Sequence, residues 1–250
     1  MRRTLAALGV LAFVLPLRAD LGAPPDVPYE NLPYNGKLTF ARLKFRPSMW
    51  GPGNYQWGLD LKWNHDYPRA DAHFQKIIQE TTSAEVNVAS NIIGLDDPDL
   101  FKYPVAYMCE VGFWTLQGKE AENLRTYLQK GGFLILDDFT QRDMLNLEIQ
   151  MQQVLPQARF IEVPHDHGVW DSFFKIDEPP RVHPYRSFLR ASYLGIFEDN
   201  DPQKRLLVMA NYNNDISEYW EWSDTGFAPI EITNEAYKLG VNYVIYAMTH

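Results

Sequence analysis

The sequence predicts an α/β protein with a mostly parallel sheet and helices on both of its faces. Three observations lead there. Apolar runs of strand length alternate with amphipathic stretches of helix length along most of the chain. The run Tyr103 to Cys109 (YPVAYMC) is almost continuously apolar, as a strand covered on both faces should be. Polar residues gather directly after several apolar runs, where sheets of this kind place their ligands, outside the carboxyl ends of the strands.

Taken in order, Arg2 and Arg3 precede an apolar run from Leu5 to Leu17, with Ala19 following as a small residue before a cut. Residues 1–19 therefore read as a secretory signal peptide, and export to the periplasm or beyond is expected. The apolar run is shorter than the roughly 20 residues a spanning helix needs, so cleavage is expected over retention as an anchor. Residues 20–36 carry Pro24, Pro25, Pro28 and Pro33 and predict an extended arm. Residues 37–250 predict one domain. In it, LTFARLKF from Leu38 alternates as a strand, an aromatic Gly- and Pro-rich loop runs from Met49 to Trp63, and Ala70 to Thr82 has helical spacing through Phe74, Ile77 and Ile78. Val86-Asn87-Val88 reads as a short strand, followed by the strand Tyr103 to Cys109 and a helix from Lys119 to Lys130 that stops at Gly131-Gly132. Phe133 to Phe139 is a buried strand closing on Asp137 and Asp138. A helix over Met144 to Leu155, strands over Ala158 to Val163, Tyr193 to Glu198 and Arg205 to Ala210, and a helix over Glu235 to Met248 complete the pattern.

Composition narrows the function. At 250 residues and 46% hydrophobic, the chain can bury a substantial core. Its net charge is −9, and losing residues 1–19 removes three arginines and no acid, leaving −12. Such a surface repels phosphate backbones, so a nucleic-acid partner is not expected. Cys109 is the sole cysteine, which forbids an intramolecular disulfide and fits a buried core thiol.

The strand ends supply the candidate residues. Glu110, Asp137, Asp138, Asn211, Asn213, Asn214 and Asp215 are expected to contact a ligand. Two adjacent carboxylates offer oxygen to a divalent cation, with His165 or His167 after the next strand completing the shell on the same sheet edge. Adjacent strand residues point to opposite faces, however, so only one of Asp137 and Asp138 easily faces a common site. The competing structural reading has one of them cap the helix near Arg142 and the other pair with Arg142. Standard metal-ligand spacing is lacking, and no cofactor or metal set is expected. Asp66 and Asp71 read as helix-start residues. Trp50, Tyr55, Trp57, Trp63 and Tyr67 form either a packed lid or a stacking platform.

The order of TFARLKF, WNHDYPRADAHF, DPDLFKYPVAYMCEVGFWTL, YLQKGGFLILDDF, RLLVMANYNNDISEYWEW and LGVNYVIYAMTH resembles the bacterial family known as domain of unknown function 4159. The resemblance spans roughly residues 37–250 and implies a class I glutamine amidotransferase-like fold, a flavodoxin-like three-layer sandwich. It implies no activity. Class I amidotransferases carry a nucleophilic cysteine on the sharp turn after a buried strand; the matching turn here, after FLIL, carries Asp137 and Asp138. A carboxylate cannot replace the thiolate in amide hydrolysis. The expected function is therefore a non-catalytic or degenerate amidotransferase-like domain that binds a ligand or partner, protein or glycan, in the cell envelope. The alternative is a hydrolase of envelope glycans or small esters that uses Asp137 or Asp138 with His165 or His167 as acid, base or metal ligands.

Overall fold

The computed structural model describes residues 30–48 and 60–250. Seven strands form the central sheet: β1 (Ala41–Lys44), β3 (Asn91–Gly94), β4 (Val105–Met108), β6 (Phe133–Phe139), β7 (Ile161–Glu162), β8 (Ser192–Phe197) and β9 (Leu206–Tyr212). Their spatial order is β3-β1-β4-β6-β9-β8-β7. The first five run parallel, and β8 runs antiparallel to both of its neighbours. Two further short strands, β2 (Arg46–Pro47) and β5 (Trp114–Thr115), pair antiparallel beside it.

Period-two alternation divides the strand side chains between two cores. Val105, Tyr107, Phe133 and Ile135 face a cluster built with α1 (Arg69–Thr81), α4 (Ile216–Glu221) and α5 (Ile230–Thr249). Ala106, Met108, Leu134 and Leu136 face the other, with α2 (Glu120–Gln129) and α3 (Gln141–Val154). Both faces of the sheet are thus covered, which is why these strands read as unbroken apolar runs. On the first face, Phe74 stacks on Trp220 with centroids 4.2 Å apart, and α5 packs onto this pair at Gly240.

Several elements depart from the sequence expectation. The strand expected at Val86–Val88 is a single bridge from Val86 to Leu38; the paired strand is β3, five residues later. Its four residues, NIIG, are too few to show a period. The strand expected over Ala158–Val163 shrinks to β7, and α4 was not expected at all. Helix α3 starts at Gln141 rather than Met144, because the Asp143 carboxylate accepts the N–H and hydroxyl of Thr140 at 2.7 and 3.0 Å. Helix α5 starts at Ile230, directly after Pro229.

At the outer edge, the arm segment docks on β3. The Asn31 side chain donates to Ile92 O and accepts Ile92 N–H, both at 2.8 Å, while the Asn91 side chain makes the same double contact with the backbone of Leu32. Among the described residues no helix is long and apolar enough to cross a membrane. The signal-peptide segment, Trp50, Tyr55 and Trp57 lie outside the described residues.

Candidate functional site

The parallel strand order reverses direction between β1 and β4, and a crevice at the carboxyl ends of strands forms where order reverses. The loop after β1 delivers Asp60, Lys62, His65 and Asp66 to that edge. Glu110 follows β4, Asp137 and Asp138 end β6, Asn211 to Asp215 end β9, and Glu218 stands on α4. Five of the seven non-glycine residues with positive φ among the described residues sit here: Lys62 (63°), Asp66 (63°), Glu110 (50°), Asp138 (49°) and Asn213 (56°). Left-handed conformations cost energy away from glycine and concentrate where side chains must be aimed.

Asp137 and Asp138 part company at this turn. Asp137 is fully buried and its carboxylate accepts from Asn211 Nδ2 (3.0 Å), Tyr107 OH (3.0 Å), Ile216 N–H (3.0 Å) and Ser217 N–H (3.0 Å). It therefore does cap a helix, but α4 rather than the expected α3. Burial raises its pKa, and these four donors pull the other way. The register of β6 against β9 shifts between Leu136 and Phe139, and with φ at 49° Asp138 turns toward the loop after β1. Its Oδ2 lies 3.9 Å from His65 Nδ1, so its partner is His65 and not Arg142. Burial, then the charges of Glu110, Asp66 and Asp137, hold the Asp138 carboxyl well above the usual carboxylate range.

His65 touches carboxylates through both ring nitrogens: Nδ1 is 3.0 Å from Glu110 and Nε2 is 2.8 Å from Asp60. A carboxylate only accepts, so both nitrogens donate and the ring is an imidazolium. Burial opposes that charge, but Glu110 and Asp60 outweigh it and push the pKa up to about 9. Lys62 adds a second cation, 2.7 Å from Asp60 and 3.5 Å from Glu110.

A second group of acids stands beside it. Asp66 accepts from the Ser217 hydroxyl at 2.5 Å, and Asp215 caps α4 by accepting Glu218 N–H at 3.0 Å. Burial, then Asp138, Asp66 and Asp137, push Asp215 well up. Burial, then Asp66 and Glu221, raise Glu218 to about 7, and its carboxylate takes the Tyr185 hydroxyl. Two sets of side chains have the spacing to hold a cation, with ligand atoms inside 4.8 Å of one another: His65, Glu110 and Asp138, in which His65 must give up a ring proton before it can ligate, and Asp66, Asp215 and Glu218.

Of the residues singled out from sequence, Glu110, Asp138 and Asp215 converge on this edge. Asn211 is buried as a bridge between Asp137 and Tyr243 OH. Asn213 accepts Gln141 N–H at 3.0 Å and fixes the entry to α3. Asn214 is buried, donates to Tyr193 OH at 3.3 Å, and leaves its own carbonyl oxygen unpaired. The expectation that His165 and His167 share this edge is not met. The His167 ring packs against Phe197 and Tyr246 at 5.4 Å from each, in a cavity of about 340 Å³ that includes Arg205 at the opposite end of β9; His165 is exposed. After Val163 the chain folds back, fixed by Trp170 Nε1 donating to Pro164 O at 2.7 Å. Asp71 stands in the first turn of α1, as expected of a helix-start residue, and is also the buried partner of Arg42, at 2.5 Å. Cys109 is fully buried beside Arg42, and burial pushes its thiol well up despite that cation.

His65, Asp66, Ser217 and Glu218 escaped sequence reasoning as site residues. They lie within the quoted motifs WNHDYPRADAHF and NYNNDISEYWEW, so motif content rather than strand-end position was the available signal. Comparison with curated proteins finds none that matches this chain. A family profile matches residues 25–248, and the chain belongs to the family described as Domain of unknown function (DUF4159).

Proposed function

We propose that this chain is a non-catalytic domain of amidotransferase-like ancestry that binds a positively charged ligand or partner group, most simply a divalent cation, at its strand-end edge. The ancestry is supported by the parallel order β3-β1-β4-β6-β9, which in sequence rank is the 2-1-3-4-5 order of flavodoxin-like sheets. The loss of inherited chemistry is supported by Asp138, which occupies the positive-φ position at the end of β6 where a nucleophile would stand. The single observation that carries the binding reading is the convergence of five acids, Asp66, Glu110, Asp138, Asp215 and Glu218, which with His65 make two three-ligand sets, three of these acids being held above their ordinary pKa range in part by neighbouring acids. A cation relieves that repulsion directly. Placement in the cell envelope rests on the leader-like Arg2, Arg3 and following apolar run.

The experiment is a thermal-shift series after chelator treatment, with Mg²⁺, Ca²⁺, Mn²⁺ and Zn²⁺, on wild type and Asp138→Asn. Stabilisation of wild type by at least one ion, weakened in the variant, is the expected result. Equal shifts in both proteins, or none in either, reject the reading.

A second reading, acid–base hydrolysis, is favoured by one observation: Glu218, raised to about 7 beside Asp66, would exchange protons near neutral pH. Turnover of a panel of glycans and esters that disappears in Glu218→Gln would support it. Equal turnover in the variant excludes it.

A further inference from the structure

Arg42 lies on β1 beneath the site and is 1% exposed. An interior guanidinium must have its donors met, and this one uses them in two directions. Nε and Nη2 grip the Asp71 carboxylate at 3.1 and 2.5 Å. Nη1 faces the other way and donates to the carbonyls of Trp63 (3.2 Å) and His65 (3.0 Å) and to Cys109 Sγ (3.1 Å). The Cys109 thiol also meets Trp63 O, at 3.3 Å. The guanidinium plane is seated over the Tyr107 ring, 4.7 Å from its centroid.

These ties bracket one segment. Trp63 and His65 are held on its amino side and Asp71, on α1, on its carboxyl side. Asp66 falls between them, and the side chains of His65 and Asp66 belong to different cation-spaced sets. We propose that Arg42 is the positioning residue of the strand-end site, setting where His65 and Asp66 stand relative to Glu110, Asp138 and Asp215 without touching the ligand. This rests on the binding reading above. The Asp71 pair alone does not account for an arginine: a buried ion pair is often replaceable by well-packed apolar residues at little cost. An apolar pair cannot donate to the loop carbonyls. Lysine, a point charge, cannot serve the carboxylate and both carbonyls from one plane.

The test compares the full-chain double variant R42M/D71L with wild type by thermal midpoint, by the low-field proton NMR signals of the carboxylate-bonded His65 ring N–H groups, and by Mn²⁺ titration calorimetry. A midpoint near wild type, loss of the His65 signals and a tenfold or greater fall in Mn²⁺ affinity are expected. A folded double variant that keeps the His65 signals and the Mn²⁺ affinity overturns the proposal. Should the double variant not fold, Arg42→Lys decides: lost His65 signals support the role, and unchanged signals refute it. If wild type binds none of Mg²⁺, Ca²⁺, Mn²⁺ and Zn²⁺, the binding reading fails on its own, and the NMR comparison still decides the role of Arg42.

Discussion

The carboxylate of Asp137 holds the backbone N–H of Ser217 at 3.0 Å, joining the end of a central strand to the start of a helix 80 residues away. That contact and its three companions make Asp137 a structural anchor. Asp137→Ala would strand Asn211 Nδ2 and the two helix N–H groups of Ile216 and Ser217 in the interior, each unmet group costing about 1–3 kcal/mol, while Tyr107 OH keeps Ser217 Oγ at 2.7 Å. The variant should lose at least about 3 kcal/mol in urea unfolding, with Asp137→Asn intermediate.

Asp138 differs in sign. Its folded pKa is raised by burial and by Glu110, Asp66 and Asp137, so its ionised form opposes folding and the stability it contributes at low pH is lost as pH rises. In chelator-treated protein, Asp138→Asn should be as stable as wild type or more so at neutral pH, by on the order of 1 kcal/mol. The same variant should bind cations more weakly. Chemical unfolding with and without Mg²⁺ or Mn²⁺ reads both effects.

Glu218 titrates in a defined window. With its folded pKa raised from 4.5 to about 7, wild type should lose stability relative to Glu218→Gln as pH climbs through that interval. A variant-minus-wild-type difference in thermal midpoint that does not change between pH 5 and pH 8 would contradict the shift.

His183 works in the opposite direction. Burial and then Arg186 lower its pKa from 6.5 to about 4, and its Nδ1 accepts Tyr185 N–H at 3.1 Å. The unfolded chain takes up the proton first as pH falls, so stability present above pH 6.5 is lost between about 6.5 and about 4. His183→Gln should flatten this acid limb, measured by denaturation midpoints across that range.

Gly240 admits no side chain. A Cβ there would stand 2.6 Å from both Phe74 and Trp220, the stacked pair through which α5 meets α1 and α4. Gly240→Ala should cost about 1–3 kcal/mol by overpacking despite better helix propensity. Because α4 carries Ser217 and Glu218, its cation-induced thermal shift should also shrink.

The layered sheet and the four long helices around it were legible because strands buried on both faces are written as apolar runs and the helices as amphipathic ones, and Phe133 to Phe139 even marked Asp137 and Asp138 as its end. What could not be read was convergence. α4 is six residues of mixed aromatic and acidic character with no usable period, so the helix that Asp137 caps was invisible. His65 and Asp66 come from a loop whose placement depends on Arg42, a contact between distant segments that no local pattern records. The His165-Asp166-His167 run misled for the complementary reason: following a strand does not keep a chain on that strand's edge once it doubles back, as it does after Val163.

The side-chain clasp between Asn31 and Ile92 has a consequence for association. β3 ends the sheet, and an open strand edge is a template on which other chains add. By filling both backbone hydrogen-bonding positions of Ile92 with one amide, Asn31 acts as a molecular end-stop against strand addition. Molecules lacking the segment before Pro33 would present that rim bare, and self-association through the sheet, rather than loss of the core, would be their characteristic failure.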